Sequence, residues 1–197
     1  MKVVLGVIAV IIILVLVVGG TVGGMYVSSR NQMVTLNEAI KSNWAQVNVV
    51  LQRRADLIPN LVATVKGFAA HEETVFGDVD KAREALIGAQ TPQQKIAANG
   101  QLDGALGRLL AVAENYPQLK SNENFLQLQD ELAGTENRIA VERKRYNDSI
   151  QDYNTYIGQF PNSFFASWGG FQRNNDYFEA SAASKEVPKV QFPGATP

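Results

Sequence analysis

The N-terminus carries an uncharged stretch that constrains this chain more than any other feature. No charged side chain occurs from Val3 to Ser29, and most of the stretch is aliphatic. As a helix, residues 3–27 would extend about 37 Å, enough to cross the roughly 30 Å hydrocarbon core of a bilayer with some tilt. The alternative is a cleaved signal peptide, whose apolar region is usually only about 7–15 residues long. The length therefore favours a retained single-pass transmembrane anchor over residues 1–30.

Near the end of this stretch lie two overlapping Gly-x-x-x-Gly pairs, formed by Gly19, Gly20, Gly23 and Gly24. In lipid, small residues four apart let two helix backbones approach closely, which predicts self-association within the membrane. The alternative interpretation is a flexible hinge where the helix frays at the membrane surface.

Charge limits the partners and the orientation. The chain has 18 basic and 19 acidic side chains, and only Lys2 and Arg30 fall in the first 30 residues. The remainder is mildly acidic, which argues against nucleic-acid binding. The absence of cysteine excludes disulfides, thiolate metal sites and a lipid-anchor cysteine.

The membrane orientation is weakly determined. Because Lys2 and the terminal amine lie on one side of the span and Arg30 and Lys41 on the other, the count of positive charges is nearly balanced under the positive-inside rule. We expect a short cytoplasmic N-terminus and the remaining chain outside the cytosol.

Beyond residue 30, apolar residues recur in steps of three and four, as in amphipathic helices. Ten of the twelve positions of the first seam are apolar, and the pattern predicts one long helix interrupted by Pro59. Proline removes a backbone hydrogen bond and crowds the preceding turn, so a kink or a split is expected there. The seam consists of Ile40, Trp44, Val47, Leu51, Arg54, Ile58, Leu61, Val65, Phe68, Glu72, Val75 and Val79.

Two further helices are bounded by local signals. Thr91, Pro92 and Gln94 form a capping-box pattern at a helix start, and Pro117 ends that helix. Ser121 is expected to cap the next one. The apolar face of the earlier helix includes Ile96, Leu102, Leu106, Leu109, Leu110 and Ala113. The seam of the later helix is Phe125, Leu128, Leu132, Thr135, Ile139, Glu142, Tyr146, Ile150, Tyr153, Ile157 and Phe160, before Pro161.

These patterns predict an all-α fold with an N-terminal transmembrane helix and an antiparallel, up-and-down helical bundle with coiled-coil-like packing. The bundle has three long helices, or four if the first splits at Pro59. We divide the chain into a membrane anchor (1–30), the bundle (31–160), an aromatic C-terminal segment (161–180) and an extended tail (181–197).

The aromatic segment contains Phe164, Phe165, Trp168 and Phe171. Three interpretations stay open for it: a cap on the bundle, a subunit contact, or a contact with the membrane interface.

Two charged residues, Arg54 and Glu142, occupy otherwise apolar seams. A buried charge needs a partner, so both should be paired, and they are candidates to pair with each other. Such a pair would fix helix register more than it would add stability.

Motifs that carry enzyme chemistry are incomplete. His71-Glu72 begins like the zinc motif H-E-x-x-H, but Val75 stands at the second histidine position and His71 is the only histidine. We therefore expect no catalytic residue, no metal and no cofactor. A less favoured alternative is a metal-binding protein or hydrolase that uses Glu131, Glu136 and Glu142, for which ion pairing with nearby arginines is the simpler explanation.

Three blocks of the sequence closely resemble the LemA family, and the resemblance extends from Trp44 to Phe178. They are WAQVNVVLQRRADLIPNLV from Trp44, LGRLLAVAE from Leu106, and ELAGTEN from Glu131, followed by Tyr146-Asn147, Tyr153-Asn154 and Phe160-Pro161. The resemblance implies a bacterial protein with an N-terminal membrane helix, an antiparallel helical bundle and no agreed catalytic residues. We expect it in the cytoplasmic (inner) membrane. Relatives in magnetosome-forming bacteria are associated with internal membranes, which suggests membrane organisation by analogy.

The leading functional hypothesis is a structural protein that binds membrane lipid, forms a homo-oligomer and organises membrane or recruits partners. The runner-up is an adaptor subunit for another membrane protein, such as a protease or transporter.

Overall fold

The computed structural model describes residues 2–179, which are helical except for short turns and the last residues. No strand occurs in this part of the chain, so the predicted all-α class is confirmed. The predicted tail at 181–197 lies outside the described residues. The helices are α1 (Lys2–Lys66), α2 (Glu73–Gly88), α3 (Pro92–Ala113), α4 (Pro117–Lys120), α5 (Glu123–Gly158) and α6 (Asn162–Gly169).

The described chain divides into two compact units. The first contains the residues up to Val49 together with Ile139–Tyr177. The second contains Val50–Arg138 together with the described residues from Phe178. Helices α1 and α5 each contribute to both units. The functional division into anchor, bundle, aromatic segment and tail stays a prediction.

In the first unit, α1 and α5 pack antiparallel. The rings of Trp44 and Tyr146 lie 5.0 Å apart, and Asn43 Nδ2 donates to the carbonyl of Arg145 at 3.4 Å. Burial, with a smaller contribution from the Asp176 carboxylate, raises the pKa of Tyr146 to about 12, so this phenol stays neutral. The buried apolar core includes Met33, Ile40, Val47, Ile139, Ile150 and Ile157.

In the second unit, the C-terminal part of α1 packs with α2, α3 and the start of α5. Arg108 of α3 pairs with Asp78 of α2 at 3.0 Å, while Lys95 near the start of α3 reaches the carbonyl of Leu86 near the end of α2. These contacts make α2 and α3 antiparallel. The core contains Leu51, Ile58, Leu61, Val65, Phe76, Val79, Leu102, Leu109, Leu119 and Phe125.

The predicted seams mostly mark the core, although one helix boundary was wrong. The first seam was expected to run through Val79 in one helix, but α1 ends at Lys66 and α2 begins at Glu73. Gly67 follows α1, and Phe68 and Ala69 both donate to the Val65 carbonyl as the chain turns. The apolar spacing continues across the turn because both helices face the same core. Phe160, predicted in the last seam, is 88% exposed.

The predicted caps were partly correct. Thr91 accepts from the Gln94 N–H, and the Gln94 side chain accepts from the Thr91 N–H, so the capping box is confirmed. Ser121 was wrong as the cap of the following helix, because Asn122 Oδ1 accepts the Phe125 N–H instead. The Ser121 hydroxyl donates back to the preceding turn. Pro117 lies after the end of α3 and opens the single turn of α4.

Helix α1 continues through Pro59 without splitting, and the structure supplies a reason. Proline has no N–H to donate to the carbonyl four residues earlier, which belongs to Ala55. That carbonyl instead accepts from Arg83 Nε of α2 at 2.8 Å. A tertiary hydrogen bond therefore replaces the missing helical one and lowers the penalty of an internal proline. The predicted kink at Pro59 stays a prediction.

This replacement predicts an energetic coupling between Pro59 and Arg83. Arg83→Met should lower the free energy of unfolding by about 1–2 kcal/mol, because it leaves the Ala55 carbonyl without a donor. In a Pro59→Ala background the restored N–H can serve that carbonyl, so the same change should cost clearly less. A double-mutant cycle in denaturant measures the difference. Equal costs in both backgrounds would show that the hydrogen bond does not compensate for the proline.

Candidate functional site

The N-terminal part of α1 is an exposed apolar helix. From Val4 to Val18 its large side chains are 50–70% exposed. It is the one helix in the described chain that is long and apolar enough to cross a membrane, with a mean hydropathy of 3.0. Exposed apolar surface of this extent is unfavourable in water and favourable in lipid. The predicted anchor thus has the surface chemistry of a membrane span.

The four predicted self-association glycines lie on this helix and are all exposed. Helix α1 stays regular through Gly19, Gly20, Gly23 and Gly24. A methyl group placed on any of them would meet no described atom within 4 Å. The glycine faces are therefore open to a close approach by another helix.

The aromatic segment forms α6 and packs beside α1. Phe165 is buried and its ring meets the Tyr26 ring edge-on at 5.7 Å, while the Trp168 ring lies 6.2 Å from the same tyrosine. At the start of α6, Ser29 Oγ donates to Asn162 Oδ1 at 2.9 Å. The segment thus attaches where the uncharged stretch of α1 ends.

After α6 the chain reverses and is tied to α5. Gly170 adopts a left-handed conformation (φ 73°), which allows the reversal without a side-chain clash. Asn154 then donates to the Asn174 carbonyl at 2.6 Å and accepts from the Asn174 N–H at 2.9 Å. Tyr153 Oη donates to the Gln172 carbonyl at 2.9 Å, and burial raises its pKa. Residues 172–174 therefore hold the end of α6 in place.

A charged cluster lies in the second unit around Arg54, which is only 7% exposed. Its Nη1 lies 2.6 Å from Asp103 Oδ1, 2.9 Å from Glu136 Oε2 and 2.9 Å from Asn99 Oδ1. One Nη1 carries two hydrogens and cannot direct a hydrogen at all three acceptors, so the Asp103 contact is ionic rather than a directed hydrogen bond. Asn99 Nδ2 also donates to Asp103 Oδ2 at 3.2 Å. The four side chains form one polar network spanning three helices.

The Arg54 cluster borders an open groove of about 550 Å³. The carboxylates of Asp103 and Glu136 remain partly exposed at its edge, whereas the Arg54 side chain is covered. One cation therefore faces two anions, which leaves the groove acidic. Its apolar lining includes Leu61, Leu106, Leu110 and Leu132.

Arg54 and Glu142 are both paired, but with different partners. Arg54 pairs with Asp103 and Glu136, while Glu142 pairs with Arg145 at 2.9 Å on its own helix, so the suggested Arg54–Glu142 pair is wrong. Glu142 pairs within its own helix, one turn along, whereas the partners of Arg54 lie on two other helices. Whether Arg54 and Glu142 fix helix register stays a prediction.

The candidate metal ligands were the three glutamates and His71. Within residues 2–179, no group of three or more histidine, aspartate and glutamate side chains is placed to hold a metal ion. Glu136 is engaged by Arg54, Glu131 is exposed, and His71 lies exposed in the turn between α1 and α2.

Sequence reasoning missed Asp103, Asn99 and Arg83. Asp103 and Asn99 share a helix face with Leu102 and Leu106, and a polar pair four residues apart beside a core face was the available signal. Arg83 had no signal of its own, because its role depends on the position of Pro59 in another helix.

The exposed apolar helix and the packed helices beyond it define a membrane-associated, all-helical protein. The LemA family model matches residues 43–192, and the chain belongs to the LemA family.

Individual relatives show the same relationship. The chain is 28% identical over 188 aligned residues to magnetosome protein MamQ of Magnetospirillum gryphiswaldense, covering 82% of this chain and 69% of the relative. It is 30% identical over 179 residues to magnetosome protein MamQ 2 of Paramagnetospirillum magneticum, covering 78% and 65%. Protein LemA of Metamycoplasma hominis is 21% identical over 137 residues, covering 69% and 63%. The chain thus spans about two thirds of the length of these relatives.

The Arg54 cluster predicts a non-additive pair of substitutions. Asp103→Asn or Glu136→Gln alone leaves Arg54 one anionic partner and should cost about 1 kcal/mol or less. Together they leave a buried cation without an anion, and the loss should reach about 3 kcal/mol. Denaturant unfolding followed by circular dichroism measures all three variants. The pair Asp80→Asn and Glu84→Gln on exposed positions of α2 is the matched control. Additive losses at Asp103 and Glu136 would contradict a shared role in neutralising Arg54.

Proposed function

We propose that this protein is a non-catalytic structural protein, anchored in the membrane by α1, that self-associates through its membrane helix and organises membrane or recruits partners. The observation that carries the proposal is the open glycine surface of α1, described above. Helix pairs in lipid depend on close backbone packing, and small side chains in an accessible row permit it. The regular helix through all four glycines favours this use over a hinge.

Geometry distinguishes the two glycine pairs. A helix turns about 100° per residue, and α6 contacts α1 at Tyr26 and Ser29. Relative to the midpoint of those two residues, Gly20 and Gly24 lie about 150–170° around the helix. Gly19 and Gly23 lie about 50–90° away, on the side nearer α6. The Gly20/Gly24 face is therefore the one we assign to contact with a second copy.

The family relationship supports a membrane role. Two relatives are named magnetosome proteins, which agrees with the membrane-organising role inferred from the sequence. The absence of a complete catalytic motif in the sequence supports a role that does not require catalysis.

The proposal predicts which glycines matter. Gly20→Leu with Gly24→Leu should weaken self-association about tenfold, equivalent to about 1.4 kcal/mol, because bulky side chains prevent the close approach of two helix backbones. The same changes at Gly19 and Gly23 are the matched control, and should have a clearly smaller effect. Fluorescence energy transfer between labelled full-length copies in liposomes measures the association.

Three results would contradict parts of this proposal. A strictly monomeric wild-type protein would exclude self-assembly. Equal effects of the two glycine pairs would exclude the assignment to one face. Exclusive cross-linking in cells to a different membrane protein would favour the adaptor hypothesis, for which the acidic, leucine-lined groove beside Arg54 is the supporting surface.

We also propose a single-pass topology in the cytoplasmic membrane with the packed helices outside the cytosol. The chain lacks cysteine, so one engineered cysteine reports its own location. Ala140→Cys lies at an exposed position of α5 and should react with a membrane-impermeant maleimide in intact spheroplasts. Labelling only after lysis would place the packed helices in the cytosol.

A further inference from the structure

Helix α6 has an aromatic face that stays largely exposed, although the Trp168 ring touches Tyr26 at its edge. Phe164 and Trp168, one turn apart, are 57% and 71% exposed, and their rings lie 5.2 Å from each other. Phe160, just before α6, is more exposed still. No charged residue occurs from Asn162 to Gly169. Large exposed aromatic patches of this kind mark contact sites on proteins.

The opposite face of α6 is already used. Phe165 and Ala166 are buried, and Phe165 packs against Tyr26 of α1. The interpretation that α6 caps packed helices therefore accounts for this buried face, but leaves Phe164 and Trp168 unexplained.

The position of α6 along α1 coincides with the end of a membrane-length segment. From Val4 to Tyr26 the helix extends about 33 Å, close to the roughly 30 Å thickness of a hydrocarbon core. Trp168 lies beside Tyr26, and the first charge on α1 after Lys2 is Arg30, one turn beyond Tyr26. Tryptophan and tyrosine are enriched at this boundary because their rings are apolar and their N–H and O–H groups are polar.

The segment is also held in place. Its start is bonded to Ser29 of α1, and residues 172–174 after it are bonded to Tyr153 and Asn154 of α5. An aromatic face that is fixed before it meets its partner loses little conformational entropy on contact.

We infer that the exposed face of α6 inserts into the interfacial region of the same bilayer that α1 spans. Phe164 and Trp168 contact the upper acyl chains and head groups, and with Tyr26 they form an aromatic belt around one side of α1. The absence of charge on α6 and its continuity with the apolar stretch of α1 favour lipid as the occupant. This inference rests on the membrane anchoring proposed above and adds a second, peripheral membrane contact.

The two tryptophans of the chain provide an internal test. Trp44 lies 18 residues beyond Tyr26 on α1, which is about 27 Å further along the helix. Full-length Trp44→Phe protein reports on Trp168 alone, and full-length Trp168→Phe protein reports on Trp44 alone. Each is reconstituted into phosphatidylcholine vesicles, with or without lipid brominated near the head-group end of the acyl chain. Flotation of the vesicles reports anchoring separately.

The expected result is that both proteins float, that Trp168 emission shifts to the blue and is lost in brominated vesicles, and that Trp44 emission is unchanged. Floating protein with unquenched Trp168 would overturn the inference and leave the anchor intact. If Trp168 is also protected from acrylamide, a quencher dissolved in water, a second copy rather than lipid covers α6, and the inference is likewise overturned. Protein that does not float would overturn the anchoring itself. If Trp44→Phe fails to fold, the difference between wild-type and Trp168→Phe emission gives the same measurement.

Discussion

The apolar surface of α1 is the constraint on which the rest of this protein depends. No described part of the chain covers the side chains from Val4 to Val18. Leaving them in water would cost more than the roughly 5–15 kcal/mol by which a folded domain is usually stable. A bilayer removes that penalty without any protein partner. Once α1 is embedded, Tyr26 lies near the membrane surface. Helix α6, which contacts Tyr26, then acquires a defined depth relative to the bilayer.

Polar interactions decide where the helices can continue and where charges can be buried. Pro59 would ordinarily break α1, yet Arg83 satisfies the carbonyl that the proline leaves free. Arg54 would ordinarily be excluded from a core, yet three polar partners surround its Nη1. In both cases polar contacts with a neighbouring helix make an otherwise unfavourable residue acceptable. The Arg54 cluster also borders the open groove, whose edge carries the carboxylates of Asp103 and Glu136.

Much of the fold follows from local patterns in the sequence. The apolar period identified Ile58, Leu61, Val65 and Leu109 as core residues, and the capping box at Thr91 marked the start of α3. Periodicity did not reveal the end of α1 at Lys66, because apolar spacing is preserved when two consecutive helices face one core. Periodicity also suggested Glu142 as the partner of Arg54, whereas Asp103 and Glu136 pair with it. A seam position predicts that a charge is buried, but it does not identify which carboxylate the charge contacts.

The aromatic segment shows the same limit. Its composition allowed a cap, a subunit contact or a membrane contact, and the pattern of aromatic residues alone does not separate them. The structure distinguishes its residues: Phe165 is buried against Tyr26 of α1, whereas Trp168 touches the same tyrosine but stays 71% exposed. That distinction depends on Ser29, Asn154 and Gly170, which are far apart in the sequence and carry no common motif.

The two membrane-proximal features occupy different sides of α1, which makes them compatible. Helix α6 packs on the side of Tyr26, and Gly20 and Gly24 lie on nearly the opposite side. A pair of copies joined through those glycines would carry each α6 on its outer side, facing lipid rather than the partner. Self-association would then leave the aromatic contacts with the bilayer undisturbed. Each added copy would bring another aromatic surface to the same face of the membrane. Several linked contacts with lipid would bind more strongly than one, which gives a physical route from helix pairing to membrane organisation.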